Sequence, residues 1–298
     1  MRTRGSVVGK VLTYFFLALL ALIFLVPVFY VMYNSLLPKR YIGSFVPPSV
    51  WSLDNYKELF ADFPIMGWYK NTAISTLAVV LGNIVFTPMA GYGLARLRFP
   101  GKKVIFVCLM LSMMIPGQLV LLPQYIMMAQ MGLVDTLAAI IIPYLSQSMF
   151  IFMARQFFYG IPEELEEAAR IDGLGRFGTY VRIVLPISGV LIATIAIFNF
   201  TGTWNSYLVP STFISTLEKF VLVVGLQTVN NEHFQQENLT LAGVFLLSFP
   251  VIIFFMFTHD WVTKKMSPNF SSIYAGFRAF WAKCGKTFHR RCPNSKPQ

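Results

Sequence analysis

The sequence predicts an all-α integral membrane protein with six transmembrane helices, and three observations carry that fold class. Of 298 residues, 56% are hydrophobic and only 12% charged, and the mean hydropathy is +0.61. A soluble domain of ordinary composition is about half apolar and about a quarter charged. The apolar residues gather into uncharged stretches that each reach roughly the 20 residues a helix needs to cross a hydrocarbon layer. The Lys and Arg residues gather into alternate connections between those stretches.

In chain order the stretches are 11–33, 71–95, 104–134, 136–154, 183–217 and 238–258. The first follows Arg2, Arg4 and Lys10, as a signal peptide would, but it is far longer than a usual apolar h-region and has no obvious cleavage site. It reads as a retained helix. The third and fifth are longer than a span requires, and Pro116 and Pro123 in one and Pro210 in the other are the expected breaks or bends. Residues 1–10 are then a cytoplasmic amino terminus, 11–263 a six-helix membrane domain and 264–298 a basic cytoplasmic tail.

Orientation follows from charge. With the amino terminus in the cytoplasm, the inner segments are the amino terminus itself, 96–103, 155–182 and the tail, and they hold 19 of the 24 Lys and Arg. Only Lys39, Arg40, Lys57, Lys70 and Lys219 lie outside, as the positive-inside rule requires. The basic balance is therefore topological, and no nucleic-acid partner is needed to explain it. Cys108, Cys284 and Cys292 suggest neither a disulfide framework nor a metal site, even with His289 added.

One inner segment has the pattern of a short helix. Pro162 suits a first helical position, and Glu163, Glu164, Glu166 and Glu167 complement the positive end of the helix dipole. Glu166 and Arg170 are four apart in the favourable order, and Leu165, Ala168, Ala169 and Asp172 fall on one side. Gly173 can end the helix in a left-handed conformation. By pattern alone this is either a solvated amphipathic linker on the membrane surface or a docking element whose alanines admit a partner closely and whose carboxylates meet basic residues. Clustered exposed carboxylates without a nearby His or an apolar pocket do not point to catalysis.

Here the chain resembles a known family. Glu167-Ala168-Ala169, Gly173, Ile183, Leu185 and Pro186 fit the EAA loop of permease subunits in bacterial and archaeal ABC importers, spanning about 158–186. The adjoining LVLLPQYIMMAQMGLVDTLAAIIIPYLSQSMFIFMARQFF, together with NYKELF and GYGLARLRFPGK, is similar to the shorter permease of maltose-type carbohydrate importers, and the resemblance runs over 11–263. It implies the type I importer permease fold and a heteromeric complex in a prokaryotic cell membrane. The complex would comprise a second permease, two ABC ATPase subunits that bind ATP and Mg, and an extracytoplasmic solute-binding protein. It also implies that Glu163, Glu164, Glu167, Ala168, Ala169, Asp172 and Gly173 belong to the element coupling the permease to its ATPases. The chain has no GxxxxGK[ST] phosphate loop, so it is expected to bind no cofactor and to catalyse nothing itself.

For the solute, the richest polar run within a span is NFTGTWNSYLVP, with Asn199, Thr203, Trp204, Asn205 and Tyr207 as path candidates. Amides and hydroxyls beside aromatic faces suit a sugar; interface anchoring by Trp and Tyr and helix joining by Asn and Thr are the alternative reading. Relatives commonly carry an acidic residue after the Trp-Asn pair, where this chain has Ser206. By the same resemblance the outer segment 209–237 is expected to help receive the binding protein, and its polar NNEHFQQEN stretch to be a mobile contact loop. In the tail, Ile273, Phe277, Phe280 and Trp281 share one helical face, as in a helix lying on anionic lipid; contact with the ATPase and a disordered extension remain open. Import of a sugar or oligosaccharide is the leading expectation. Glycerol phosphate diesters are the chemical rival, and a stand-alone secondary transporter or a membrane enzyme the rivals of another class.

Overall fold

The structure, a computed structural model, describes residues 7–229 and 236–266, all helix and connection without a strand among them. Its helices are α1 (Val7–Ser35), α2 (Asp54–Asp62), α3 (Ile65–Arg96), α4 (Lys102–Met114), α5 (Gly117–Gln130), α6 (Leu137–Ile141) and α7 (Ser148–Tyr159). There follow α8 (Glu163–Ile171), α9 (Arg176–Thr179), α10 (Leu185–Ile187), α11 (Gly189–Trp204), α12 (Leu208–Phe213), α13 (Leu222–Val229) and α14 (Glu237–Met266).

Four helical segments are long and apolar enough to cross a membrane singly: Gly9–Ser35, Ile65–Arg96, Leu137–Tyr159 and Glu237–Thr258. Two bent pairs, Lys102–Met114 with Gly117–Gln130 and Arg176–Ile187 with Gly189–Trp204, bring the number to six, with bends of 107° and 74°. Most of α1 is exposed all round, with Leu, Ile, Val and Phe side chains that only lipid or a partner can cover.

The centre is α3. At about 1.5 Å per residue its 32 residues span about 48 Å, enough for the hydrocarbon and both headgroup layers. Close packing against the segment carrying α6 and α7 is set by Gly91: a Cβ there would lie 2.5 Å from Ala154 Cβ and 2.9 Å from Arg155 N. Without a hydrophobic drive between helices in lipid, such small residues are what allow backbones to approach. One buried cluster, with Tyr92, Phe158, Tyr180 and Val184, lies at the Arg96 end of α3, and another, with Leu59, Trp68, Leu226 and Leu239, at the opposite end.

Several expectations change. Pro116 does mark the sharp break in the third stretch, as N-cap of α5, whereas Pro123 sits inside α5 and the helix continues through it. The fifth stretch is no single helix, for α11 ends at Trp204. Pro210 lies in the first turn of α12, where a missing N–H leaves no ladder bond unmade.

The segment after α11 packs on α3 through Val229. Trp68 Nε1 donates to Leu217 O at 2.7 Å, Asn71 Nδ2 donates to Glu218 O and Phe220 O at 3.0 Å each, and Leu222 N donates to Thr72 Oγ1 at 2.8 Å. Leu222, Val224, Leu226 and Val229 of α13 are buried. Gly225 lets α13 lie on the Trp68 ring, because a Cβ there would fall within it. The uninterrupted apolar run 221–226 favours this burial over a solvated loop. Part of NNEHFQQEN, and the tail features Ile273, Phe277, Phe280, Trp281, Cys284, His289 and Cys292, lie outside the described residues.

The same end explains NYKELF. Asn55 Nδ2 donates to Ser35 O at 2.8 Å and Leu37 O at 2.9 Å, satisfying carbonyls left open where α1 stops, while Asn238 Nδ2 donates to Asn55 Oδ1 at 2.9 Å. Tyr56 OH meets Ser35 Oγ at 2.7 Å. Asp135, at φ 61°, accepts from Ser215 N and Thr216 N, both at 2.9 Å, and pairs with Lys219 Nζ at 2.7 Å.

Candidate functional site

Two polar regions stand out from the apolar surroundings. The first begins where the segment 137–159 is interrupted. Pro143 stands in a short 3-10 turn, Ile142–Tyr144, and the helix resumes only at Ser148. Irregular backbone at membrane depth needs partners from protein. Asn83 of α3, fully buried, supplies them: its Nδ2 donates to Tyr144 O at 2.7 Å and to Val79 O at 2.9 Å, and its Oδ1 accepts from Gln147 N and Thr87 Oγ1, both at 3.2 Å.

The interruption aims Gln147 inward, where its Nε2 donates to Asn199 Oδ1 of α11 at 2.9 Å, and Asn199 Nδ2 in turn donates to Ile195 O at 3.0 Å. Tyr144 OH donates to Gln124 Oε1 at 3.3 Å. Tyr144, Gln147 and Asn199, together with Ser75, Thr203 and Ser206, line a cavity of about 210 Å³ between α3, α7 and α11. Phe150, Phe198 and Val209 give it apolar walls, and no Asp, Glu, Lys, Arg or His is among its lining residues. The cavity therefore offers amide and hydroxyl groups without charge.

Of the five candidates from the sequence, Asn199 and Thr203 line this cavity. Trp204 turns the other way: it is 4% exposed, stacks on Phe200 at 5.4 Å between centroids and donates Nε1 to Leu247 O at 2.9 Å. Asn205 and Tyr207 are exposed beyond the end of α11. Gln147, Tyr144 and Ser75 were not among the candidates; the available signal was Ser146-Gln147-Ser148, a polar interruption after a proline inside an otherwise apolar span.

The second region is α8 at the Arg96 end. Pro162 is its N-cap rather than its first residue, Asp172 its C-cap, and Gly173 at φ 82° ends it. Glu163, Glu164, Glu167, Asp172 and Gly173 are exposed, Ala168 is half-buried and Ala169 is buried against the rest of the chain. Glu166 is not the solvated partner of Arg170 that helix spacing suggested. It is 5% exposed, accepts from Tyr92 OH at 3.2 Å, and its Oε1 faces Arg96 Nε at 3.1 Å. That last contact is charge against charge without hydrogen-bond alignment.

Arg96 is the reason for the difference. Its Nη1 donates to Glu163 Oε1 at 3.0 Å, and its Nη2 to Phe158 O at 2.9 Å and to Ile161 O. A cation fixed there draws the Glu166 carboxylate inward and turns the helix so that Leu165, Glu166 and Ala169 face the bundle. The face left exposed carries Glu163, Glu164, Glu167 and Arg170, with Ile171 86% exposed at its end. Among the described residues no group of three or more His, Cys, Asp or Glu is placed to hold a metal ion.

Comparison with known proteins gives a consistent answer. Residues 87–268 match the family described as "Binding-protein-dependent transport system inner membrane component". The chain is 31% identical over 258 residues to the arabinooligosaccharides transport system permease protein AraQ of Bacillus subtilis, covering 85% of this chain and 92% of that one. It is 28% identical over 263 residues to the maltodextrin transport system permease protein MdxG of the same organism, again over 85% and 92%. Its fold is similar to a chain in the crystal structure of a bacterial ABC transporter involved in the import of the acidic polysaccharide alginate. The TM-score there is 0.75 at 22% identity, covering 88% of this chain and 99% of that one.

Proposed function

The chain belongs to the family of binding-protein-dependent transport system inner membrane components, and from that premise we propose that this multi-pass membrane protein imports a sugar or oligosaccharide. It does so as one permease of an ABC complex, beside a second permease, with two ATPase subunits and an extracytoplasmic binding protein. The observation that carries the substrate class is the cavity around Gln147, Asn199 and Thr203. Its uncharged donors and acceptors match the hydroxyls of a neutral carbohydrate, and its aromatic and aliphatic walls match the ring faces. A glycerol phosphate diester would call for a cation, and the lining residues include none.

In this reading the Arg96 end of the bundle faces the cytoplasm, which puts both termini there and brings the basic segments 96–103 and 155–182 together at that surface. The exposed carboxylates of α8 dock on the ATPases. Closure of the ATPase dimer on ATP moves α8, and the permease pair shifts from an inward-facing to an outward-facing population. The binding protein meets the surface built from α12, α13 and the turn at Asp135.

The test is reconstitution. The chain, purified with its co-purifying subunits in mild detergent and placed in proteoliposomes, is given ATP, the binding protein and a labelled panel of arabino- and malto-oligosaccharides. Uptake that needs all three components is the expected result. ATP hydrolysis indifferent to binding protein and to every sugar, or uptake persisting without the ATPases, would overturn the proposal.

A further inference from the structure

The deepest charged group in the described chain has a role that the exposed face of α8 does not supply. The Arg96 side chain is 7% exposed and the Glu166 side chain 6%. A buried ion pair is costly to desolvate, and well-packed apolar side chains of similar volume would hold two helices together as well or better. Stability alone is thus a poor reason for the pair.

The surroundings of α8 suggest a mechanical reason. The helix has nine residues and is suspended between Gly160-Ile161-Pro162 and Asp172-Gly173-Leu174-Gly175, joints rich in glycine that by chain connectivity leave it free to pivot. Arg96 removes that freedom. From the last turn of α3 its planar fork holds Glu163 and Glu166 of α8 and, at the same time, the carbonyls of Phe158 and Ile161 just before α8. Five donors in a fixed plane can grip groups on two sides; the single ammonium of lysine cannot. Tyr92, one turn back on α3, adds its hydroxyl to the other oxygen of Glu166.

We infer that Arg96 and Glu166 are positioning residues that lock α8 to α3, so that the two move as one rigid lever. This inference rests on the coupling reading of α8 given above. Because Gly91 seats α7 directly on α3, α7 travels with them. The lever is long: α3 continues from Arg96 past Ser75 in the cavity wall to Trp68 and Asn71 at the far end. A push on α8 then reaches the solute cavity through α3 itself, without having to pass along the chain through α9, α10 and α11.

The experiment uses the complete complex in proteoliposomes. Failure of the native chain to assemble with ATPases would be a failure of the coupling reading, visible before any variant is made. In an assembled complex, Arg96→Lys and Glu166→Gln are expected to retain ATP hydrolysis while the oligosaccharide moved per ATP falls at least about fivefold, the lower end of typical coupling effects. Equal coupling in both variants and the native complex overturns the inference.

A second readout does not depend on how well the variants fold. With Cys108, Cys284 and Cys292 replaced by serine, spin labels at Met89→Cys on α3 and Ile171→Cys on α8, residues 45% and 86% exposed, report the separation of the two helices. That separation is expected to stay constant between nucleotide-free and ATP-trapped complexes with Arg96 and Glu166 intact, and to broaden in Glu166→Gln. A change of several ångströms between nucleotide states with the native pair in place would sink the rigid lever.

Discussion

Replacing Asn83 by leucine tests the polar architecture at its most concentrated point. The side chain is fully buried, and leucine keeps its heavy-atom branching while removing every polar atom; its bulkier methyls add some overpacking to the loss of hydrogen bonds. The loss leaves Tyr144 C=O and Gln147 N–H without the partners that Asn83 supplies at the break before α7. The Thr87 hydroxyl also loses its acceptor but can rotate to a carbonyl of the preceding turn. Each buried group left unpaired costs about 1–3 kcal/mol. Measured side-chain hydrogen bonds in membranes average about 0.6 and reach about 1.7 kcal/mol. Two backbone orphans in one place therefore predict a destabilisation of about 2–4 kcal/mol. Equilibrium unfolding in mixed micelles, followed by tryptophan fluorescence, measures it. Thr87→Val, which removes one hydroxyl and no backbone partner, is the control and should cost less than about 1 kcal/mol. Because Asn83 also fixes the turn that aims Gln147 at Asn199, uptake by Asn83→Leu should fall even at temperatures where the variant is folded. Stability within about 0.5 kcal/mol of the parent together with unchanged uptake would refute the assignment.

Other positions give separate tests. Gly173 adopts φ 82° and its N–H donates to Arg170 O at 3.0 Å; proline can do neither, so Gly173→Pro should uncouple ATP hydrolysis from uptake while leaving the bundle folded, and Glu167→Lys should do the same by reversing charge on the exposed face. Both are read as solute moved per ATP. Gly225→Leu would drive a side chain into the Trp68 ring and should destabilise by at least about 1–3 kcal/mol, seen as a lower unfolding midpoint with altered tryptophan emission. Lys219, then the Thr216 hydroxyl and the Thr216 and Ser215 amides, hold the Asp135 carboxyl well below the usual carboxylate range. A depressed folded-state value means that the anchoring is fully present above the ordinary value of about 3.9 and is lost as pH falls through the lower folded one. Hydrogen exchange of 214–219 should thus be protected equally from neutral pH down to about 4. Asp135→Asn should lose that protection already at pH 7.

What the sequence made legible was what depends on composition and near neighbours. Six spans follow from uncharged runs, and α8 follows from four glutamates, a proline before them and a glycine after them. What escaped depends on partners far along the chain. The spacing of Glu166 and Arg170 points to a solvated pair, but the partner that decides the orientation of α8 is on α3, with Tyr92 and Glu166 separated by 74 residues. Trp204 looks like a sugar platform beside Asn205 until Leu247 and Phe200 claim it. A single Asn inside an apolar run, such as Asn83, carries no local sign that it repairs a break in another span. Nor does an apolar run such as 221–226 reveal that Trp68 will cover it, because periodicity states that a face must be buried and not by what.

These long-range partners share a logic. At one end, Trp68, Asn71 and Thr72 of α3 bond the backbone of 217–222; midway along Asn83 bonds that of 144–147; at the other end Arg96 bonds that of 158 and 161. Each target is an irregular stretch or a helix end, where many backbone groups lack a partner in their own element, although Leu217 O and Phe158 O each also accept a turn bond. A movement that slid α3 past any of them would leave several such groups bare, at about 1–3 kcal/mol each. Rocking α3 together with the segments bonded to it leaves all of them paired. The lower-cost motion is therefore rotation of this whole body, with the adjustment taken up along the lipid-facing length of α1, whose exposed apolar side chains can slide over lipid.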